Sequence, residues 1–168
     1  MRLSRPFVLL LAVAVAACAG SPPRAQPATR FVLVRHAEKA AGDDPPLTAA
    51  GEQRAARLAA LLRATPPDAI YATGYRRTRQ TAQALADAFA RPVLAYDARE
   101  DAAAFAARLR AAHAGTTVVI VGHSNTVPSL AAALCGCPVT PIDESDYGRL
   151  LRITLAADGA ARLEDARY

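Results

Sequence analysis

The chain has 168 residues, of which 52% are hydrophobic, and its formal net charge is +5. This length is sufficient for one domain with its own core, and the hydrophobic content excludes an intrinsically disordered chain. The positive charge favours anionic partners, but the sequence has no basic stripe with interleaved aromatic residues, so nucleic-acid binding is not expected.

The first segment of the chain has the pattern of an export signal. Arg2 and Arg5 precede an apolar run, residues 7–17, that is too short to span a bilayer comfortably. The run ends in VAAC, which resembles a bacterial lipobox and predicts cleavage before Cys18 and lipidation of that cysteine. The alternative is an ordinary signal peptide cut at a nearby small residue. Cleavage before Cys18 removes the two arginines and no acidic residue, so the net charge falls from +5 to +3.

These features divide the chain into three parts. Residues 1–17 are predicted to be a lipoprotein-type signal peptide, residues 18–29 the lipidated cysteine with a Pro-rich tether, and residues 30–168 the folded domain. Because Ala19, and not an aspartate, follows the cysteine, we expect an outer-membrane lipoprotein that faces the periplasm. A soluble periplasmic protein is the alternative.

Apolar segments of the domain alternate between strand and helix patterns. Strands are predicted at 30–35, 68–73, 92–97 and 116–123, helices at 49–63, 76–90, 101–113 and 124–134, and a hairpin at 150–165. Thr48 is expected to cap the first helix. The helix faces predicted to be buried carry Ala55, Leu58 and Leu62, then Thr81, Leu85, Ala88 and Phe89, then Phe105, Leu109 and Ala112. This order predicts an α/β fold, a three-layer α/β/α sandwich with a mostly parallel sheet and an antiparallel edge hairpin.

Two further cysteines, Cys135 and Cys137, form a CGC sequence after the fourth helix. An oxidising periplasm permits a disulfide, but a bridge across one residue is geometrically strained, so the bridged and reduced forms both stay open. A zinc site is not expected, because a second pair of ligands at metal-site spacing is missing. No metal and no other cofactor is predicted.

Polar residues follow two of the predicted buried strands. His36 comes directly after the first strand, in FVLVRHAEK, and His123 directly after the fourth, in VVIVGHSN. Ligands of parallel α/β sheets bind at the carboxyl ends of the strands, so these histidines would share one crevice if their strands are neighbours. Gly122 would let the backbone approach a ligand, and Ser124 and Asn125 would supply hydrogen-bond donors.

A third polar sequence, RRTRQTA, begins the second helix with Arg76, Arg77 and Arg79. Cations are locally unfavourable at a helix N-terminus, where free N–H groups carry partial positive charge. The arginines are therefore explained by a bound anion such as phosphate, or they are solvated surface residues of an Arg-rich chain.

Four motifs, LVRHAE, LTAAGEQRA, RRTRQTA and VVIVGHSNT, occur in this order within residues 31–155. As an ordered set they resemble the histidine phosphatase superfamily, the phosphoglycerate-mutase-like proteins. The resemblance implies phosphoryl transfer through a phosphohistidine on His36, which would attack phosphorus before water releases phosphate. Arg35 and Arg77 would bind the phosphoryl group, and His123 would bond to its oxygens.

The chemistry of these residue types agrees with the implied roles. Arginines near His36 disfavour its protonated form and keep its imidazole nucleophilic. Guanidinium groups match phosphate oxygens bidentately and supply the positive charge that a metal would otherwise provide. Ser124 is expected to add a donor to the phosphoryl group. Tyr147 is expected at the edge of the core, with a place at the border of the pocket as the alternative. His113 is expected at a helix C-terminus, outside the site.

No motif identifies the acid that would protonate an alkoxide leaving group. Glu100 is the first candidate and Glu38, beside the nucleophile, is the second; Asp97 and Asp101 lie in the same acidic stretch. Each can equally be a loop or helix-start carboxylate, and Glu38 can instead hold an arginine in place. Without an acid, good leaving groups such as phosphohistidine, acyl phosphates and aryl phosphates would be favoured.

The resemblance therefore predicts a metal-independent phosphatase, a phosphoric monoester hydrolase of the histidine acid phosphatase type. Its partners would be a phosphorylated small molecule or phosphoprotein, and a membrane reached through the lipid on Cys18. Two alternatives stay open. One is a catalytically weak lipoprotein that binds phosphate or a phospholigand on the same fold, and the other is a phosphohistidine-protein phosphatase.

Overall fold

The computed structural model describes residues 27–168, so the predicted signal peptide, Cys18 and most of the tether lie outside the described residues. The sheet has six strands: β1 (Thr29–Arg35), β2 (Ala69–Thr73), β3 (Val93–Tyr96), β4 (Thr117–Gly122), β5 (Arg149–Leu155) and β6 (Ala161–Arg167). Their order is β3-β2-β4-β1-β5-β6. The first four strands in this order are parallel, whereas β5 and β6 form an antiparallel hairpin beside β1.

Four helices cover the two faces of the sheet. They are α1 (Ala49–Leu61), which continues into a 3₁₀ turn, α2 (Arg76–Phe89), α3 (Ala102–Ala112) and α4 (Thr126–Cys135). One core lies between the sheet and α1 with α2, and a second core lies between the sheet and α3 with α4. The predicted three-layer sandwich is therefore confirmed. Within residues 27–168, no helix combines the length and the apolar character that a membrane crossing requires.

Local sequence explains where the helices begin. The Thr48 hydroxyl accepts a hydrogen bond from the Gly51 N–H at 3.2 Å, and Asp101 caps α3 by accepting from the Ala104 N–H at 2.9 Å. The fourth helix begins at Thr126, two residues later than predicted, and the Thr126 hydroxyl instead accepts from the N–H of His123 at 2.9 Å.

The predicted helix faces are buried except at their ends. Leu58 and Leu85 are fully buried, and Leu109 is 1% exposed. Ala88 is exposed, so its predicted burial is wrong, and Ala112, at helical spacing with Phe105 and Leu109, is exposed as well. Both alanines lie in the last turn of their helix.

The two strands that precede the histidines are neighbours. In the parallel pairing of β1 with β4, Arg35 lies opposite Gly122. The His36 N–H continues this ladder and donates to the Gly122 carbonyl oxygen at 2.9 Å. The condition on which the predicted shared crevice depended is therefore met, and His36 and His123 emerge side by side at the carboxyl end of the sheet.

Gly51 explains one motif that the sequence left without a mechanism. A Cβ atom at this position would overlap the carbonyl oxygen of Glu38. That carbonyl also accepts the Thr48 N–H at 2.9 Å, so the first turn of α1 is packed directly against the segment that follows His36. The glycine of LTAAGEQRA thus allows α1 to support the end of β1.

The CGC sequence is in its bridged form. Cys135 ends α4 and forms a disulfide with Cys137, with a Cα–Cα distance of 5.2 Å. Gly136 between them adopts a φ of 64°, a left-handed conformation that glycine accepts without steric cost.

Candidate active site

His36 is buried and held in one tautomer. Its side chain is 2% exposed, and its Nδ1 lies 2.8 Å from the carbonyl oxygen of Ala37. Because a carbonyl only accepts hydrogen bonds, Nδ1 carries the proton in the neutral ring. The lone pair is then on Nε2, which is the atom available for nucleophilic attack.

The second helix fixes the segment that carries His36. The Ala37 N–H donates to the Thr81 hydroxyl at 3.0 Å, and that hydroxyl donates to the Arg77 carbonyl oxygen at 2.8 Å. The position of the nucleophile is therefore tied to the first turns of α2, from which Arg77 also extends.

His123 lies against His36 at the ends of the paired strands. The centroids of the two rings are 5.6 Å apart, at an interplanar angle of 68°. The Nε2 of His123 is 2.9 Å from the Thr73 hydroxyl, which is also 2.9 Å from the Thr78 hydroxyl. This chain of hydroxyl groups orients the imidazole and leaves Nδ1 as the nitrogen that can bond to a ligand.

Arg35 is almost completely buried, at 2% exposure. Its guanidinium donates to the carbonyl oxygens of Asp143, at 3.0 Å, and of Glu144, and its Nη2 lies 3.1 Å from the Glu144 carboxylate. It also stacks over the Tyr147 ring at 4.3 Å. Arg35 thus connects β1 to the loop before β5.

Only one of the three arginines at the start of α2 extends into the site. Arg77 lines the pocket beside both histidines, and its guanidinium lies 4.5 Å from the centre of the Tyr75 ring. Arg76 and Arg79 are exposed and line a different surface depression. For these two, the alternative interpretation as solvated surface residues is the one that the structure favours.

The helix start itself does not offer a free anion site. The N–H of Arg76 donates to the Asp44 carboxylate at 2.8 Å, and the same oxygen lies 3.6 Å from Arg77. Asp44 has a φ of 40°, an uncommon conformation for a residue with a side chain. At this helix start the Asp44 carboxylate is therefore the anion that bonds to the free N–H of Arg76.

The site is an open, strongly cationic pocket of about 490 Å³. Besides the two histidines, its charged lining residues are Arg35, Lys39, Arg77 and Arg99, opposed by Glu144. Among the residues that the structure describes, the Nε atoms of Arg35 and Arg77 are buried without a hydrogen-bond partner. This pocket can hold an anion with several acceptor oxygens.

Burial and nearby charge keep both histidines neutral. Burial, supported by the charges of Arg35 and Arg77, lowers the pKa of His36 from 6.5 to about 4. Burial and the same two arginines lower the pKa of His123 to about 4. At neutral pH both imidazoles are therefore unprotonated, which is the form that a histidine nucleophile requires.

We expect the imidazole signals of His36 and His123 in the NMR spectrum to titrate with midpoints near pH 4. An unfolded chain protonates its histidines near pH 6.5, so it binds more protons than the folded protein between these values. The free energy of unfolding should consequently decrease as the pH falls through this window. Titration midpoints near pH 6.5 would contradict the burial of the two rings. The variants His36→Asn and His123→Asn each remove one imidazole signal and so assign the signals to the two histidines.

The two carboxylates predicted as acid candidates are engaged elsewhere. Glu38 binds Arg54 through both oxygens, at 2.6 to 2.9 Å, and this bonding lowers the pKa of Glu38. Glu100 pairs with Arg108 at 2.8 Å and lines a neighbouring cavity. Neither carboxylate lines the pocket of His36, because Glu38 bonds to Arg54 and Glu100 bonds to Arg108. Glu38 thereby holds Arg54 in place.

Three residues at the site were not predicted there. No pattern in the sequence indicated Glu144 or Tyr75, and Tyr147 was expected elsewhere. Glu144 lines the pocket and accepts from the Ser124 hydroxyl at 2.6 Å, which lowers the pKa of Glu144. Tyr75 packs its ring 5.1 Å from that of His123. Tyr147, expected at the edge of the core, lies 5.9 Å from the His36 ring.

Ser124, Gly122 and His113 are three further residues that the sequence singled out. Ser124 lines the pocket, with its hydroxyl bonded to Glu144. Gly122 has a packing role: a Cβ atom there would come within 2.7 Å of the Thr126 and Tyr96 hydroxyls. The glycine is needed because these two side chains pack against the end of β4. His113 is the C-cap of α3, and its Nε2 lies 3.0 Å from the Tyr71 hydroxyl, outside the site as expected.

Comparison with known proteins gives a family match over part of the chain and several similar structures. Residues 31–101 match the family model of the histidine phosphatase superfamily, branch 1. No curated protein sequence matches the chain significantly. The structure is similar to that of the protein histidine phosphatase SixA in complex with tungstate, with a TM-score of 0.65, 21% identity, and coverage of 82% of this chain and 96% of the other.

Two mycobacterial proteins have similar structures. One is glucosyl-3-phosphoglycerate phosphatase, with a TM-score of 0.67, 18% identity, and coverage of 84% of this chain and 98% of the other. The second, called mycobacterial hydrolase 1, has a TM-score of 0.68 and 20% identity, with coverage of 84% and 100%. These similarities show that the fold is the predicted phosphoglycerate-mutase-like α/β fold.

Proposed function

We propose that this chain, whose family match and fold support the histidine phosphatase superfamily, hydrolyses phosphomonoesters or other phosphoryl groups through a phosphohistidine on His36. The observation that carries the proposal is the neutral His36, with its Nε2 lone pair free, in one pocket with Arg35 and Arg77. The proposal includes export of the protein and lipidation of Cys18, for which the sequence is the only support. The mass of the mature N-terminal peptide tests both.

The reaction has two displacement steps at phosphorus. The His36 Nε2 lone pair forms a bond to phosphorus while the bond from phosphorus to the leaving group breaks, and that group departs with its electron pair. Water then attacks the phosphohistidine, the P–N bond breaks, and inorganic phosphate is released with regeneration of the imidazole. The two steps share one phosphoryl site, so the same donors serve both.

Arg35, Arg77 and His123 would stabilise the phosphoryl oxygens in both steps. The unpartnered Nε groups of the two arginines lack an acceptor that phosphoryl oxygens would supply. Nδ1 of His123 can donate to a third oxygen, because the Thr73 hydroxyl can match either tautomer at Nε2. Fixed donors of this kind stabilise transition-state charge without reorganisation, and the arginines make a metal unnecessary.

Two alternatives depend on the leaving group. Glu144 is the carboxylate among the residues that line the His36 pocket, and its bond from Ser124 and the charge of Arg35 lower its pKa, so it is a poor proton donor at neutral pH. This favours leaving groups that need little protonation. A phosphohistidine-protein phosphatase fits this condition, and the structurally similar SixA is described as a protein histidine phosphatase. A catalytically weak phospholigand-binding protein on the same fold is the other alternative.

Trapping the covalent intermediate tests the proposal. The protein is mixed with a ³²P-labelled aryl phosphate, quenched in alkali, which preserves phosphohistidine, and digested for mass spectrometry. The proposal predicts one labelled peptide, which contains His36. A binding protein would form no labelled peptide, and label on another residue would exclude the His36 mechanism.

Glu144 is expected to compete with phosphate for the pocket. Its carboxylate bonds to Arg35 and Ser124, two residues proposed to bind the phosphoryl group, while its side chain is 82% exposed. We expect Glu144→Gln to tighten competitive inhibition by inorganic phosphate about two- to fivefold, which corresponds to one exposed ion pair. Weaker inhibition would instead mean that Glu144 helps to hold Arg35 for the ligand; Asp158→Asn in the distant hairpin turn is the control.

A further inference from the structure

A second cavity, of about 380 Å³, adjoins the pocket of His36. It lies between the beginning of α3 and the beginning of α4, and we call it the α3–α4 cavity. The two cavities share three lining residues, Ala98, Asn125 and Thr126. A molecule whose phosphoryl group occupies the His36 pocket can therefore extend into the α3–α4 cavity without leaving the protein surface.

The α3–α4 cavity has an apolar floor. Tyr96, Phe105 and Leu130 line it and are 9%, 2% and 3% exposed. The Tyr96 and Phe105 rings stack with centroids 4.6 Å apart, which gives the floor a flat aromatic part. A ring or short apolar group that packs here loses contact with water, which favours binding.

The charge of the α3–α4 cavity is opposite to that of the His36 pocket. Its charged lining residues are Asp97, Glu100 and Asp101, with no basic residue among them. Arg99 and Arg108 do not line the cavity, but they pair with Asp97 and Glu100 and offset part of this negative charge. The Arg108 guanidinium also lies 4.8 Å from the centre of the Phe105 ring. The site thus has a cationic part and an adjoining acidic part.

We propose that the α3–α4 cavity binds the leaving group of the substrate, and that this leaving group is neutral or cationic with an apolar or aromatic surface. The inference rests on the proposed phosphatase function, because an in-line attack by His36 directs the leaving group away from the nucleophile. A leaving group with a second phosphate or a carboxylate would meet like charge in this cavity. Such molecules would be poor substrates.

A matched series of aryl phosphates tests this proposal. 4-(Aminomethyl)phenyl, 4-(hydroxymethyl)phenyl and 4-carboxyphenyl phosphate have the same ring and differ in the charge at its far end. Phenolic leaving groups need little protonation, so the comparison reports binding in the cavity. We expect kcat/KM to be about tenfold higher for the ammonium than for the carboxylate compound at low ionic strength, and the ratio to decrease with added salt.

The variant that tests the cavity removes its charge with little change of shape. It combines Asp97→Asn, Glu100→Gln and Asp101→Asn. Asparagine at 97 can still accept the Arg99 N–H, and asparagine at 101 can still cap α3. In this variant we expect the ammonium-to-carboxylate ratio to fall to about twofold or less. Asp87→Asn, an exposed residue of α2 outside both cavities, should leave the ratio at its original value.

Two results would overturn the inference while leaving the phosphatase proposal intact. One is equal or faster hydrolysis of the carboxylate compound by the wild-type protein. The other is a charge preference that the triple variant retains. If instead no compound of the series is hydrolysed and no phosphohistidine forms, the proposed function fails and this inference fails with it.

Discussion

Replacement of His36 by alanine abolishes hydrolysis of a generic aryl phosphate, with kcat reduced by roughly 10⁴-fold or more. The substitution removes the only atom in the proposed mechanism that forms a bond to phosphorus. Water could still attack within the pocket, but it would lack the attack geometry that the Ala37 carbonyl imposes on the imidazole. The labelled peptide should disappear from the trapping experiment at the same time.

A matched histidine serves as the control for this substitution. His113→Ala changes the same residue type at the C-terminal end of α3, outside the site, where the ring contacts Tyr71. We expect His113→Ala to keep full activity, and circular dichroism to show both variants folded. Unreduced hydrolysis by His36→Ala would refute the assignment of the nucleophile.

Replacement of Arg77 by alanine lowers kcat/KM about 10²- to 10³-fold, the usual effect of removing one donor that stabilises transition-state charge. The side chain is 16% exposed and leaves its Nε without a protein acceptor, so it is positioned for a ligand. Arg77→Lys should recover only part of the loss, because an ammonium group keeps the charge without the planar fork. Inhibition by tungstate should weaken in both variants.

The same helix supplies the control for Arg77. Arg79→Ala removes an exposed arginine two residues away that lines a different depression. Its activity should match the wild type, whereas equal losses in the two variants would mean that general positive charge, and not the site, attracts the substrate. Arg35 is less suitable for this test, because it also holds the carbonyl groups of the loop at 143–146.

The sheet and its helices could be predicted because their signals are local. The apolar run 117–122 is buried throughout, and Thr48 caps α1 as its position before the helical pattern indicates. The ordered motifs also indicated His36 and His123 at strand ends. Helix ends were less certain, as Ala88 shows, because the last turn can lie beyond the layer that the helix covers.

The site needed the tertiary structure for every contact between distant segments. Three arginines begin α2, and the family resemblance pointed to Arg77; the structure places Arg77 in the pocket and leaves Arg76 and Arg79 on another surface. Glu38 is adjacent to the nucleophile in sequence, but its carboxylate is bonded to Arg54. Of the two roles that the sequence left open for Glu38, the bonds to Arg54 favour the one in which it holds an arginine.

The sequence by itself determined the order of the helices and strands and the strand ends that carry the histidines. It also determined the two motifs that contain Arg35 and Arg77. Periodicity and capping depend on residues a few positions apart, so they can be read along the chain. The tertiary structure alone decided that Glu144, 109 residues from Arg35, shares its pocket, and that an acidic cavity adjoins it. These arrangements depend on how loops meet at the edge of the sheet, where no local repeat constrains which side chains become neighbours.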